Sequence, residues 1–343
     1  MKSYLVTVML LGVAVLAWAP DASAQEQETE RTRLAQTGMK FLSVSVHARA
    51  AAMADAMTAQ EASSIAMFYN PASMAEMSKD FDVALGKTEW LAGTSYNAAS
   101  AAYRPLSGRY GTFGLAVVAV DYGEHFLETI RADNEQGFID LGQYSPSAIS
   151  VGLGYARALT DRFAVGANLK YVTQSLGEAT MSVDTDGNRE TSDFSVNTMA
   201  VDFGVLFRTG IRSLNFALSA RNFSRELTYA EENFELPLTF SMGISADLFN
   251  LSGYSSTSHA LNMAVEASRP RDFAEQVKVG MEYTFINLLS LRAGYLFPSD
   301  EQGINLGAGL STDVSGISLG IDYAYSQFGI FGDVNRVALQ FGF

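Results

Sequence analysis

The chain has 343 residues and a formal net charge of −14, from 37 acidic and 23 basic side chains, so it offers no electrostatic basis for binding nucleic acid. It contains no cysteine, which excludes disulfides, thiol catalysis, zinc–thiolate sites and a lipid-modified N-terminal cysteine. Only 17% of the residues are charged and 48% are hydrophobic, with 29 Gly, 15 Tyr and 22 Phe, a composition that favours tightly packed strands over a helical bundle.

Residues 1–24 have the pattern of a cleavable signal peptide. Lys2 precedes an apolar run from Tyr4 to Ala19, and the small residues of Ala22–Ala24 are suited to signal peptidase. Cleavage before Gln25 would give an exported chain with no candidate transmembrane helix. A retained membrane anchor is the less favoured alternative. Residues 25–35 are polar and predict a short flexible lead.

Residues 36–80 differ in composition from everything that follows them. They are rich in Ala and Met, which predicts short helices and turns, and Asn70-Pro71 predicts a turn that leads into a helix. The segment has no room as a further strand of the β-barrel that the rest of the sequence predicts, as described in the next paragraphs. We therefore hypothesise that it folds into or under the lumen of that barrel as a plug, with Arg49 as a candidate partner of an acidic residue that points into the lumen.

From residue 81 to 343 the sequence alternates with a period of two. In "QVKVGMEYTF", for example, Val277, Val279 and Met281 alternate with Lys278 and Gly280. About fourteen such segments of roughly ten residues follow one another. They lie near 81–88, 94–104, 111–122, 146–158, 162–175, 194–208, 212–223, 237–247, 259–268, 275–285, 288–297, 304–312, 316–327 and 334–343.

The connections between these segments alternate in length. Short ones such as "RALTDR" and "INL" fall on one side, and long acidic ones such as "LGEATMSVDTDGNRETS" fall on the other, although "NLSGYSSTS" is long for its side. Short turns on one side and long loops on the other are typical of outer-membrane barrels. The sequence thus predicts an all-β fold, a transmembrane up-and-down antiparallel β-barrel of about 14 strands with a short helical N-terminal plug. A secreted soluble all-β domain is the alternative.

This fold places the apolar side of each strand against lipid and the small or charged side in the lumen. Tyr and Phe near strand ends then predict aromatic girdles at the membrane interfaces: Tyr96, Tyr103, Tyr122, Tyr155, Tyr171, Phe207, Tyr283, Tyr295, Phe297 and Tyr325. Strand parity also directs charges of both signs inward: Lys170, Asp202, Arg221, Lys278, Glu282, Arg292 and Asp322. Charges of both signs favour strand crosslinking and plug retention over a selectivity filter.

No catalytic or metal constellation is present in the sequence. His47, His125 and His259 are isolated, and no nucleophile elbow or phosphate-binding glycine loop occurs. "DTDGNRETSD", residues 184–193, resembles a calcium loop, but its glycine falls at the fourth position rather than the sixth, which favours a solvated hairpin tip. We therefore predict a non-enzyme with no cofactor and no metal.

The chain ends on the alternating strand "RVALQFGF", with Phe341 and Phe343 near its end. A final strand that pairs with the first leaves no frayed end. The terminal aromatic resembles the signal that the outer-membrane barrel-insertion machinery reads, which predicts a location in the outer membrane of a Gram-negative-type bacterium, in contact with its lipid.

Several strings resemble one known group. "FLSVSVHARAAAMADAMTA" followed by "FYNPASMAEM", which contains Asn70, Pro71 and Ala72, resembles the N-terminal signature of the PorV/PorQ family within the wider FadL-like outer-membrane barrels. "VGANLKYV", "ARNFS", "ELPLTFSMGIS", "LRAGY" and "GIDYAYS" follow in the same order. The resemblance implies a fourteen-stranded barrel with an N-terminal hatch.

Two functions follow from the resemblance. A PorV/PorQ-like barrel would be an accessory or shuttle component of type IX secretion that binds cargo and partner proteins of the translocon and attachment machinery at its external loops. Exposed aromatics on those loops are candidate docking residues: Phe126, Phe138, Tyr229 and Phe234. A FadL-like barrel would instead pass long-chain fatty acids or other hydrophobic small molecules. The secretion role is favoured at this point, mainly because of the resemblance and also because most readable lumen positions are small or charged. The strand "GTFGLAVVAVDYG" is apolar on both faces, which keeps the transporter open as the alternative.

Overall fold

The computed structural model describes residues 37–123, 126–183, 188–229, 232–254, 256–299 and 302–343. The predicted signal peptide, the predicted lead, His125 and the first four residues of the candidate calcium loop lie outside them. The strands are β1 Phe81–Glu89, β2 Ser95–Tyr103, β3 Thr112–Asp121, β4 Phe126–Arg131, β5 Phe138–Tyr144, β6 Ser147–Ala158, β7 Phe163–Val183, β8 Arg189–Arg208, β9 Asn215–Ser224, β10 Leu227–Tyr229, β11 Glu232–Phe234, β12 Thr239–Asp247, β13 His259–Pro270, β14 Gln276–Phe285, β15 Leu289–Phe297, β16 Ile304–Val314, β17 Ile317–Gln327 and β18 Asp333–Gly342.

Fourteen of these strands form one closed antiparallel barrel, in the order β1-β18-β17-β16-β15-β14-β13-β12-β9-β8-β7-β6-β3-β2. Each barrel strand pairs with the barrel strands before and after it in the chain, and β1 pairs with β18 over eight residues. The last residue continues this seam, because the Phe343 N–H donates to the Phe81 carbonyl at 2.8 Å and the two rings lie 6.0 Å apart. The predicted up-and-down barrel of about 14 strands is confirmed.

The loops contain more strand than the sequence indicated. The pairs β4–β5 and β10–β11 are small separate hairpins, and β7 and β8 extend beyond the predicted segment ends into a region expected to be loop. These additions lie on the rim that bears the long connections, called here the long-loop rim. The opposite rim is the short-turn rim. Both faces of the β4–β5 hairpin are largely exposed, and its apolar side chains occur at adjacent positions such as Phe126 and Leu127, so it lacks the period-two apolar pattern that revealed the barrel strands.

The outer surface of the barrel is apolar and the inner surface is small or charged. In β15, Leu289, Leu291 and Tyr295 are exposed on the outside, whereas Ser290 and Arg292 are buried inside. Within the described residues, no helix has the length and apolarity needed to cross a bilayer.

The expected aromatic girdle needs a correction at two positions. Tyr103, Tyr155 and Tyr295 are exposed on the outer face, but Tyr96 is buried and lines an internal cavity together with Tyr122. Both lie at strand ends beside the long-loop rim. At the end of a strand, the alternation of inward and outward side chains is less constrained than within hydrocarbon, because water can solvate polar groups there.

Residues 37–80 form a hatch inside the barrel. The hatch contains 3₁₀ turns at Lys40–Ser43, Ser64–Phe68 and Pro71–Glu76 and one short α-helix at Ala48–Ala52. The other helical pieces are the α-helix Leu248–Ser252 and the 3₁₀ turns Leu91–Gly93, Pro105–Gly108 and Gly329–Phe331.

The hatch begins at the long-loop rim, where Thr37 forms a β-bridge with Glu235, and ends at the short-turn rim, where β1 starts. It therefore runs through the length of the lumen.

The hatch approaches the barrel wall most closely where the wall has no side chain. A Cβ added at Gly166 would lie 2.5 Å from the Ala72 nitrogen, and one at Gly280 would lie 2.7 Å from the Met53 carbonyl oxygen. Around these glycines the inner wall is lined with buried alanines that pack against hatch Ala and Met side chains. The Ala- and Met-rich composition of the hatch thus matches a wall built from Gly and Ala.

We predict that Gly166→Ala destabilises the docked hatch, because the added methyl group meets hatch backbone that cannot rotate away. Overpacking of this kind costs about 1–3 kcal/mol. The temperature at which the folded barrel loses its fast gel mobility should fall. Gly320→Ala is the matched control, since its nearest neighbouring atom would be 3.6 Å away. Equal unfolding temperatures for the two variants would contradict the tight fit.

Candidate functional site

A buried charge cluster ties the hatch to the barrel. Arg49 on the hatch helix donates to both carboxylate oxygens of Glu282, each at 2.9 Å. Glu282 also accepts from Arg292 at 2.5 Å, and Arg292 in turn donates to Asp322 at 2.6 Å. The barrel members come from β14, β15 and β17, and all three are more than 90% buried. The cluster therefore joins three strands to the hatch through two cations and two anions, which balance.

A second cluster lies on the neighbouring strands. Lys278 and Glu266 are cross-strand partners on β14 and β13, with Nζ 3.3 Å from the carboxylate. The other oxygen of Glu266 accepts from the backbone N–H of Thr58 in the hatch at 3.0 Å. The same side chain thus holds a strand pair and a hatch residue together.

The third cluster surrounds a β-bulge between β8 and β9. Asp202 accepts from Lys170 at 2.7 Å, from the Asn222 N–H at 2.7 Å and from Asn168 at 3.1 Å. Asn222 has a positive φ of 63°, a conformation that Asn tolerates better than most residues. This cluster stabilises the wall, and the nearby Arg221 reaches the hatch by donating to the Phe68 carbonyl at 2.8 Å.

The predicted plug motif is a helix cap that also contacts the wall. The Asn70 side chain accepts from the Ala72 N–H at 3.1 Å and donates to the Thr58 carbonyl at 2.7 Å and the Val205 carbonyl at 3.2 Å. Pro71 occupies the first helical position, where a missing N–H has no cost. Asn70, Pro71 and Ala72 therefore start a hatch turn and fix it to β8.

His47 caps the hatch helix that carries Arg49. Its Nδ1 accepts from the Arg49 N–H at 3.3 Å, so this nitrogen carries no proton. Burial lowers the pKa of the imidazole to about 4, in spite of the opposing charge of Asp322. His47 is therefore neutral near pH 7, in keeping with its role as an acceptor.

Above the hatch, towards the long-loop rim, lies a cavity of about 680 Å³. Its walls come from strand ends and loops, and its floor comes from hatch residues between Gly38 and Ser45 together with Ala51 and Asp55. Aromatic side chains form most of the wall, and Phe41 adds a further ring from the floor. The wall aromatics are Trp90, Tyr96, Tyr122, Phe234, Phe273 and Phe328. The cavity is thus an apolar chamber bounded below by the hatch.

Arg336 supplies a positive charge to this cavity. It is 2% exposed and donates to the Ser45 carbonyl at 3.0 Å and to Ser326 at 2.9 Å, and its guanidinium lies 5.5 Å from the Trp90 ring centre. It forms no ion pair with a carboxylate among residues 37–343 as far as the structure describes them. The nearest anionic lining residue, Asp55, accepts from Ser45 at 2.5 Å.

The external aromatics lie in different environments. Phe126 and Phe138 are exposed on the β4–β5 hairpin, and Phe126 packs 5.5 Å from Tyr144. Phe234 is not an exposed docking aromatic: it is half buried against Gly38 and lines the cavity, because the hatch start pairs beside it. The side chain of Tyr229 lies outside the described part of the molecule. Phe341 faces outward beside Val83, and Phe343 is exposed at the seam.

Sequence reasoning missed four contributors to this site. Asp82 accepts from the N–H and hydroxyl of Ser64 in the hatch, at 3.0 and 2.5 Å. Glu266 and Arg336 also touch the hatch. Strand parity places both side chains in the lumen, so the alternation of their strands was a signal that could have identified them. Trp90 lies in a connection, where no periodic signal exists.

No family model matches the sequence, and no curated protein matches it significantly. Solved structures do resemble the barrel. The toluene transporters TbuX of Ralstonia pickettii and TodX of Pseudomonas putida each align over 86% of this chain and 96% of their own, with TM-scores of 0.55 and identities of 15% and 12%. A FadL homologue of Pseudomonas aeruginosa aligns over the same shares with a TM-score of 0.50 and 11% identity. The fold is that of the FadL-like barrels.

We predict that Arg49→Met loosens the hatch of this FadL-like barrel. Glu282 keeps Arg292 as a partner, so the expected loss is about 1.5–3 kcal/mol, the range for hydrogen bonds to charged groups. Ion conductance through the purified protein in a planar bilayer should rise. Lys79→Met is the control, because its ion pair with Asp313 is exposed and worth at most about 1 kcal/mol. Unchanged conductance in Arg49→Met would argue against this anchor.

Proposed function

We propose that the protein is an outer-membrane barrel that binds a hydrophobic small molecule in the chamber above the hatch and passes it across the membrane. The observation that carries this proposal is the 680 Å³ aromatic cavity. Small-molecule sites are commonly cavities of about 300–1,000 Å³ with mostly apolar walls and a few polar groups. The sequence suggested a lumen of small and charged residues, and the chamber differs because its walls come from strand ends and loops.

The lining indicates the chemical class of the ligand. The aromatic wall offers apolar surface to an alkyl or aromatic body, and Arg336 offers donors to a carboxylate or similar anion at one end. Asp55 acts on Arg336 from beyond ion-pair distance, and no carboxylate of the described residues pairs with it directly. A buried cation without a direct partner is costly to maintain, and the carboxylate of a ligand would supply that partner. The favoured ligand is therefore a hydrophobic acid, such as a long-chain fatty acid.

The hatch determines the route out of the chamber. Residues Phe41–Ser45 separate the large cavity from a smaller one of about 90 Å³, whose lining includes Lys170, Arg221 and Lys278. Lys40 holds this partition through an ion pair with Asp272 of the β13–β14 loop. Passage thus requires the Lys40–Ser43 turn to move, while the clusters at Glu282 and Glu266 keep the rest of the hatch in place.

Similarity in fold supports the same proposal. TbuX and TodX are described as toluene transporters, and the third neighbour as a FadL homologue. Their shared architecture with this chain is compatible with passage of hydrophobic molecules.

We predict that Trp90 reports ligand binding. Residues 18 and 90 are the only tryptophans in the chain, so a protein that starts at Gln25 has Trp90 alone. In lipid nanodiscs, laurate should change its fluorescence saturably. Arg336→Met should weaken laurate binding about tenfold or more, the loss expected for a hydrogen bond to a charged group, and should change the affinity for methyl laurate by no more than about twofold.

Arg225→Met is the matched control, since Arg225 is exposed near the long-loop rim and does not line the chamber. Uptake of a fluorescent fatty acid into liposomes that contain the protein then tests transport. Saturable binding that is insensitive to Arg336→Met would refute the assignment of the anionic end. Absence of both binding and uptake in the wild type would refute the function itself.

The second candidate is the accessory role in type IX secretion that the resemblance implied. The exposed Phe126 and Phe138 on the β4–β5 hairpin favour it, because exposed aromatics on a loop suit a protein-docking surface. A hatch held in the lumen by buried ion pairs fits a barrel whose function does not require passage of ions or small molecules through it. Secreted cargo, components of the translocon and attachment machinery, and the barrel-insertion machinery would then be the partners.

Deletion of the gene separates the two functions. A survey of surface-attached proteins should show loss of cargo with normal fatty-acid uptake if the barrel serves secretion, and the reverse if it transports. Phe126→Ser with Phe138→Ser should reproduce the loss of cargo only in the first case. Co-purification of the wild type with the type IX translocon would support secretion.

A further inference from the structure

Three turns of the short-turn rim share an unusual pattern, an aliphatic residue between two arginines. The β2–β3 and β6–β7 turns read "RPLSGR" and "RALTDR" with the same spacing, and the β8–β9 turn reads "RTGIR". The six arginines are Arg104, Arg109, Arg157, Arg162, Arg208 and Arg212. Because β2, β3, β6, β7, β8 and β9 are consecutive in the barrel, the three turns are neighbours along one arc of the rim. We call this set of turns the arginine arc.

The aliphatic residues of the arc are exposed. Leu106, Leu159 and Ile211 are 70%, 57% and 61% exposed, although each is flanked by charge. On the adjoining outer wall, Phe113 and Tyr155 are also exposed, with their rings 5.3 Å apart. Exposed apolar side chains next to cations and aromatics are typical of the boundary between lipid headgroups and acyl chains.

Among the short turns, positive charge is confined to these three, and Lys79, at the end of the hatch on the same rim, is paired with Asp313. The other short turns, residues 248–258, 286–288 and 315–316, contain no Lys or Arg. The arc holds six of the 23 basic residues of a chain whose net charge is −14. The pattern is therefore a local concentration of charge and not a property of the whole rim.

Three of the six arginines have other roles. Arg208 pairs with Glu61 at 3.2 Å and with Glu76, and Arg104 lies 3.6 Å from Asp80. Arg212 donates to two carbonyls at the end of the helix Leu248–Ser252.

The remaining three, Arg109, Arg157 and Arg162, are exposed and form no ion pair within the part of the chain that the structure describes. Together with the exposed Asp161 of the β6–β7 turn, they leave a net excess of two positive charges at the level of the exposed aliphatic residues. Neither the hatch clusters nor the chamber uses them.

We propose that the arginine arc binds the phosphodiester headgroups of anionic phospholipids in the leaflet around the short-turn rim. Guanidinium groups match phosphate oxygens in a two-pronged geometry. Leu106, Leu159 and Ile211 would insert beside the acyl chains of the same lipids, which a free phosphate or an acidic protein segment would not require. The inference relies on the proposed function only for placing the barrel in a bilayer.

The test compares two triple variants of the full-length mature protein. Arg109→Gln, Arg157→Gln and Arg162→Gln remove the free charges of the arc and leave the ion-paired arginines in place. Arg131→Gln, Arg225→Gln and Arg269→Gln remove three exposed arginines near the long-loop rim. Each protein is reconstituted with phosphatidylethanolamine and phosphatidylglycerol in equal amounts, released from the bilayer, and weighed by native mass spectrometry with its retained lipids.

Wild type and the long-loop variant should retain phosphatidylglycerol at least fivefold over phosphatidylethanolamine, and the arc variant should lose that preference. No preference in wild type, or an unchanged preference in the arc variant, would overturn the proposal. Displacement of the lipid by millimolar inorganic phosphate would also overturn it, because the site would then read a small anion. Failure of the wild type to insert into bilayers would instead count against the proposed function, since the lipid preference is measured only on inserted protein.

Discussion

Every feature of this molecule depends on the requirement that backbone N–H and C=O groups pair with one another where water is absent. A strand surrounded by lipid satisfies this requirement only in a sheet without edges. The pairing of β1 with β18, continued by the bonds between Phe81 and Phe343, removes the last edge. Closure fixes which face of each strand meets hydrocarbon, and from that follow the outer surface, the lumen and the space that the hatch occupies.

The interior resolves a conflict between two needs. The hatch contributes many backbone polar groups to a narrow lumen, and these need partners, whereas close contact needs a wall without bulky side chains. Gly and Ala supply the close contact, and a few inward charges supply the partners. Glu266 and Asp82 accept hatch N–H groups, and Arg221 and Arg336 donate to hatch carbonyls. The Arg49–Glu282 pair adds a link between charged side chains, so the hatch is held by directional bonds and not only by apolar packing.

The barrel strands could be predicted because lipid on one side and a small lumen on the other impose a strict alternation on the sequence. The plug segment was recognisable from its composition and from the lack of space for another strand. The hairpins above the rim were not, since water on both faces removes the alternation. The chamber was not predictable either. Its walls join loops that are distant in sequence, and Trp90, Phe234 and Phe328 each come from a segment without a periodic signal.

The path of the hatch has a consequence for assembly. It enters beside Glu235 at one end of the lumen and leaves beside Phe81 at the other, so it is a chain threaded through a ring that the last strand completes. A folded ring would have to admit this segment through a channel that the segment itself fills. The simpler order of events is that the nascent sheet curls around the hatch while still open. The segment would then act as an internal template for the curvature of the wall, and β18 would dock last.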